Sequence, residues 1–130
     1  MTTQELLKFH EDFCARGREI MARKNHDYAG ANGQTPFANF ESTEQLGITT
    51  TEKGLLVRIG DKLKRLVTFC NAGVLMVKDE GAEDACMDIL NYAILLAAWF
   101  QCKRTARKDQ GVNQSATGVM SGAGPASSSE

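Results

Sequence analysis

The stretch that most constrains the fold is ILNYAILLAAWF, from Ile89 to Phe100, in which Asn91 is the one strongly polar residue. A helix that is apolar on nearly every side cannot lie on a surface with one face in water; it needs neighbours on several sides. The preceding residues are amphipathic. Lys103, Arg104, Arg107 and Lys108 follow, cations that suit a helix C-terminus. The pattern predicts a helix from Glu80 or Gly81 to Lys108, packed in a homo-oligomer, with Cys86, Ile89, Ala93 and Phe100 on its core face. The longest unbroken apolar run, Ala93 to Phe100, is too short to span a bilayer.

Two more helices are expected. Thr2 and Glu5 have capping-box spacing, and Leu6, Phe9, Phe13, Ile20 and Met21 recur at helical intervals, which predicts a first helix over Thr3–Lys24. Leu55, Leu56, Ile59, Leu63, Leu66, Val67 and Cys70 mark a second, started by Thr49 with Glu52 and stopped by Asn71-Ala72-Gly73. Between them, Asn25 to Thr50 is rich in Gly, Asn, Thr and Ser and has no sustained period. A connection this long inside a small domain is usually functional or disordered, and Phe37 and Phe40 argue against disorder. Val74 to Lys78 suits either a short strand or one more apolar turn. The expectation is an all-α domain over 1–108, with three main helices and a long loop, completed by oligomerisation. Residues 109–130, rich in Gly, Ser and Ala, form a disordered tail.

Composition narrows the partners. The 130 residues suit one domain, and 15 Lys and Arg against 16 Asp and Glu leave no basic excess to draw nucleic acid or anionic lipid. Cys14, Cys70, Cys86 and Cys102 form no CxxC pair and read as free thiols, three of them on core-facing positions. The opening TTQELLKFHEDF is charged and amphipathic, unlike a signal peptide. A soluble, cytoplasmic protein is expected, with neither a membrane nor direct nucleic-acid binding.

Charge-driven chemistry must then come from local clusters. Arg58, Asp61, Lys62 and Arg65 share one stripe of the second helix. Asp84, Asp88 and Asn91 share one of the third, with Glu80 a turn earlier. The plainer reading makes these solvated faces, with Asp61 and Arg65 as an i,i+4 pair and the early acids favoured by the helix dipole. The dipole accounts for Glu80 and Asp84 but not for Asp88 and Asn91, which lie beyond the first turn. Acids that hold Mg²⁺ and cations that hold phosphate oxygens are together what a polyphosphate requires. The loop adds Phe37 or Phe40 to stack on a base and Asn25 or Asn39 to bond its edge. No GxxxxGK[ST] is present, and His10 and His26 are bystanders in this reading.

The order KNHDYAG, PFANF, RIGDKLKRL and VKDEGAEDACMDILNYAIL resembles the phage and bacterial nucleotide-modification-associated domain family, first type, over residues 20 to 97. Ala29 stands where that pattern has Gly directly after Tyr. The helical layout is also similar, more distantly, to MazG-like all-α nucleoside triphosphate pyrophosphohydrolases, whose Mg²⁺ ligands form EExxE and ExxD. Here the first of these positions offers only Asp61, and Asp84 and Asp88 are four apart.

The resemblance implies a MazG-like bundle and a Mg²⁺-dependent (deoxy)nucleoside triphosphate pyrophosphohydrolase-like phage protein of nucleotide metabolism or DNA base modification. Asp84, Asp88, Asp61 and Glu80 would hold the metal, with Asp61 and Asp88 as the catalytic pair. Lys24, Arg58, Lys62 and Arg65 would grip phosphates. Asn25, Asp27, Tyr28, Asn39 and Phe40 would frame base and sugar, and Asn91 would orient ligand or water. Two alternatives stand beside it: a non-catalytic nucleotide-binding or sequestering protein, and a structural helical oligomer.

Overall fold

The computed structural model describes residues 1–29, 35–72, 81–117 and 124, the side chains of 26–29 and 114–117 excepted. Among them the protein is all-helical: α1 Thr3–Ala29, α2 Ala38–Gln45, α3 Thr51–Ala72 and α4 Ala82–Thr117. Val74 to Lys78 and Glu80 lie outside the described residues. The chain divides into two compact units, Met1–Trp99 and Phe100–Glu130. Everything described below as a site belongs to the first. In the second, α4 runs on to Thr117 with its described side chains exposed, and Thr105 Oγ1 donates to the Gln101 carbonyl at 3.1 Å.

The helix starts follow local chemistry. At α1 the capping box forms as expected: Thr2 N–H donates to Glu5 Oε2 at 2.6 Å, and Glu5 N–H donates to Thr2 Oγ1 at 3.2 Å. At α4 Gly81 takes the cap position, and its N–H donates to Asp84 Oδ2 at 3.2 Å. The α3 start differs from expectation. The helix begins at Thr51, two residues after the expected cap at Thr49, and Thr49 N–H turns to the Thr43 carbonyl at 3.4 Å; Glu44 of α2 reaches across to Thr51. Glu44 Oε2 accepts from both Thr51 N–H (3.0 Å) and Thr51 Oγ1 (2.7 Å), and Thr51 is fully buried. A carboxylate satisfying helix-start donors serves the same purpose as a local cap.

Three expectations about extent are corrected. α1 continues five residues past Lys24, so KNHDYA is helical rather than the start of a loop. α4 continues through 109–117, where the composition predicts a disordered tail, because ARKDQGVNQSAT contains one Gly and no Pro to stop it. The third concerns the long loop, which contains α2 and makes four helices rather than three. Phe37, buried just before α2, packs edge-on against Trp99 with ring centroids 5.3 Å apart. Thr35 Oγ1 donates to Glu41 Oε2 at 3.2 Å over the first turn. At the other end Gly47, at φ 72°, closes the helix in the left-handed conformation that glycine adopts without strain. Its N–H reaches the Glu44 carbonyl, and Ile48 N–H reaches that of Thr43, both at 3.0 Å.

The core is small. Phe37, Leu55, Ala85 and Met87 are its buried apolar side chains, joined by Thr51 and Asn91. α1 meets α4 at Gly17, where a Cβ would stand 3.0 Å from Asn91 Oδ1 and 3.1 Å from Met87 Sδ. The face of α4 expected to be core is mostly outward: Cys86, Ala93 and Phe100 are exposed, and Ala85, Met87 and Asn91 are buried instead. The thiols are free as expected, but none is buried. α3 likewise buries only Leu55 of its apolar set and leaves Leu56, Leu63 and Val67 about half exposed. By length and composition alone, α4 also contains, within Ala82–Asn113, an 18-residue stretch apolar enough to cross a membrane, at a mean hydropathy of 1.4.

Candidate functional site

Two neighbouring cavities open along one face of α4. Asp84, Asp88, Asn91 and Leu95 recur at helical spacing on that face and span roughly 16 Å at the standard rise. Asp84 and Asp88 line the smaller cavity, of about 330 Å³. Asp88, Asn91, Tyr92 and Leu95 line the larger, of about 580 Å³. Asp88 and Lys24 belong to both. Progress along the helix therefore runs from a charged compartment to a mainly apolar one.

The smaller cavity brings the two expected stripes face to face. Lys62 and Arg65 of α3, Lys24 of α1 and Asp84 and Asp88 of α4 share its wall with apolar residues such as Leu66 and Phe69. Lys62 Nζ lies 2.7 Å from Asp88 Oδ2, and Lys24 Nζ lies 3.9 Å from Asp88 Oδ1. The Lys62 and Asp88 side chains are only 19% and 27% exposed, so this pair is less screened than an open surface bridge.

The larger cavity has an aromatic wall. Phe40 of α2 meets Tyr92 edge-on, with ring centroids 6.2 Å apart and planes at 88°. Met21, Val57 and Leu95 extend the apolar lining, and Asn25, Asn39, Thr43, Arg58 and Asn91 supply polar groups. Asn91 is 9% exposed, and its Oδ1 is buried without a hydrogen-bond partner, against Gly17. Asn91 also lines the larger cavity, so its amide is a polar group at the cavity wall.

Of the residues singled out from sequence, Lys24, Asn25, Asn39, Phe40, Arg58, Asp88 and Asn91 line the larger cavity, and Lys62, Arg65 and Asp84 line the smaller. Asp61 is exposed and is not among the residues lining either. Asp27 and Tyr28 fall in the last turn of α1, with side chains outside the described residues, as is Glu80 entirely. Phe37 packs in the core rather than at the cavity. Sequence reasoning missed Tyr92, Met21, Val57 and Leu95. Tyr92 had a signal in the NYA triplet beside Asn91, and Leu95 continues the helical face of Asp88 and Asn91; Met21 counted only towards the apolar period of the first helix, and nothing marked Val57.

A Mg²⁺ site needs several converging oxygens. Asp88 is committed to Lys62, and Asp84 accepts from the Gly81 N–H at the start of its own helix. Among the described residues no three His, Cys, Asp or Glu side chains converge. In this arrangement the described carboxylates do not by themselves compose such a site. No protein family, curated protein or solved structure matches the chain.

Proposed function

We propose that the protein binds a nucleotide or nucleotide-like small molecule, with the base in the larger cavity and the phosphates in the smaller. The observation that carries this reading is that the two compartments adjoin on α4 and share Asp88 and Lys24 in their walls. An apolar cavity with an aromatic wall and a few convergent polar groups suits a flat heterocycle. It leads directly to Lys24, Lys62 and Arg65, which suit phosphate oxygens. Arg58 sits on the larger side, where it reaches the sugar or first phosphate. Binding without turnover is the reading that the observed carboxylate pairings favour.

The second reading is Mg²⁺-dependent hydrolysis of a (deoxy)nucleoside triphosphate, in keeping with the MazG-like resemblance and a phage-type role in nucleotide metabolism in the cytoplasm. The observation in its favour is that Asp84 and Asp88 line the same cavity as Lys62 and Arg65.

A homo-oligomer is part of the proposal. Leu56, Leu63 and Val67 on α3 and Ile94 on α4 are 47–58% exposed, and uncovered apolar side chains along a helix face suit association with another copy. A second copy suits α4 better than lipid does, because Asp84, Asp88 and Asn91 lie in its first ten residues. Ionised groups in a bilayer carry a penalty of several kcal/mol.

The deciding experiment is a panel of NTPs and dNTPs, with and without Mg²⁺, followed by mass spectrometry for retained and hydrolysed nucleotide. Trp99, the single tryptophan, gives a parallel fluorescence titration. Retention of intact nucleotide, lost in Phe40→Ala, supports the binding protein. Release of pyrophosphate only with Mg²⁺ supports the enzyme. Neither retention nor turnover of any member refutes both and leaves the structural oligomer.

A further inference from the structure

We propose that Asp88 is a stand-in for the ligand's anion: it holds Lys62 and Lys24, and an incoming phosphate group exchanges with it for those two lysines. The proposal rests on the nucleotide reading above and makes a different prediction about Asp88 from a metal-ligand role.

The placement is specific. Asp88 and Lys24 line both cavities, so this pair stands where a ligand running from one compartment to the other must pass. Lys62 is 19% exposed, and an ammonium with so little water needs an anion beside it. Asp88 supplies that anion at 2.7 Å, but it satisfies Lys24 only loosely, at 3.9 Å. A carboxylate is planar and presents two oxygens. A terminal phosphate presents three in a pyramid and more negative charge, so it can bond both ammoniums at once. Lys24, 56% exposed on a long stem, can swing to meet it.

Asp84, the other described acid of the stripe, accepts from the Gly81 N–H. Asp88 is therefore the side chain whose displacement admits the anion, and its ion pairs are a resistance that every phosphate-bearing ligand must overcome. The consequence is a sign. If Asp88 holds a metal or positions the ligand, neutralising it weakens binding. If it competes with the ligand, neutralising it strengthens binding.

The test is calorimetric titration of the full chain with inorganic triphosphate in EDTA, for wild type, Asp88→Asn, Lys62→Gln and the double variant. Asp88→Asn should bind about tenfold more tightly than wild type, the scale of one charge-assisted hydrogen bond recovered. Lys62→Gln should bind more weakly. In its background the Asp88→Asn gain should shrink to about twofold, because the lysine being contested is gone. Asp88→Ala, which removes the charge without adding an amide, should reproduce the gain and covers the case in which the Asn variant fails to fold.

Unchanged or weaker binding in Asp88→Asn and Asp88→Ala overturns the exchange. So does a gain of equal size in the Lys62→Gln background, which would show simple charge repulsion. If wild type retains a nucleotide from the panel while the Asp88 variants lose affinity, the exchange fails and the binding function stands. If neither nucleotide nor triphosphate binds any form, both fall.

Discussion

Gly17→Ala and Gly60→Ala form a matched pair, because the same substitution in two helices meets opposite surroundings. In a helix interior, alanine is favoured over glycine by about 1 kcal/mol. At Gly60 of α3 an added Cβ meets nothing within 4 Å, so that gain should appear undiminished. At Gly17 the Cβ would stand 3.0 Å from Asn91 Oδ1, 3.1 Å from Met87 Sδ and 3.4 Å from Leu90 Cδ2. Met87 can adjust its thioether, but Asn91 is 9% exposed and has little room. Overpacking of this kind costs about 1–3 kcal/mol, which exceeds the helix-propensity gain. The expected result is Gly60→Ala stabilised by about 1 kcal/mol and Gly17→Ala destabilised by about 1 kcal/mol. On a domain of this size each corresponds to a shift of about 4 °C in Tm. Urea unfolding followed by Trp99 emission and far-UV circular dichroism measures both. Ligand retention should fall in Gly17→Ala alone, because its Cβ pushes Asn91 into the larger cavity. If Gly17→Ala is stabilised as much as Gly60→Ala, the close approach of α1 to α4 at Asn91 is wrong.

Thr51→Val keeps the shape of a fully buried side chain but deletes its 2.7 Å bond to Glu44, so it should cost about 1–2 kcal/mol in urea unfolding; a loss below a few tenths would show that the α2–α3 tie carries no weight. Leu63→Glu places a charge on the half-exposed face of α3 and should shift sedimentation towards the single chain while leaving helicity intact. An unchanged sedimentation coefficient at the same concentration would remove α3 from the interface.

The helices that carry long apolar periods were legible in the sequence, and so was the chemistry they face. Lys24, Lys62, Arg65, Asp84 and Asp88 share one cavity because i,i+3 and i,i+4 spacing fixes which side chains share a helix face. Spacing does not say which face is inside. Cys86, Ala93 and Phe100 looked like core because they are apolar, yet the charged face of α4 is the one set against α1 and α3. α2 was illegible for another reason. ANFESTEQ is too short to show a period, and what holds it is tertiary: Phe37 against Trp99 and Glu44 on Thr51. Asp61 shows the converse, a residue in the right motif whose place on the helix turns it to solvent.

The slightness of α2 bears on how a ligand enters. Its eight residues bury no side chain of their own, yet Ala38, Asn39, Phe40 and Thr43 form one wall of the larger cavity. The free energy of local opening tracks buried contact, so in hydrogen exchange the amides of α2 should lose protection well before those of α3. A ligand seated against Phe40 would hold that wall closed, and the cost of ordering it would be subtracted from the affinity. Entry by that route would need no hinge in the long helices, only local opening of the short one.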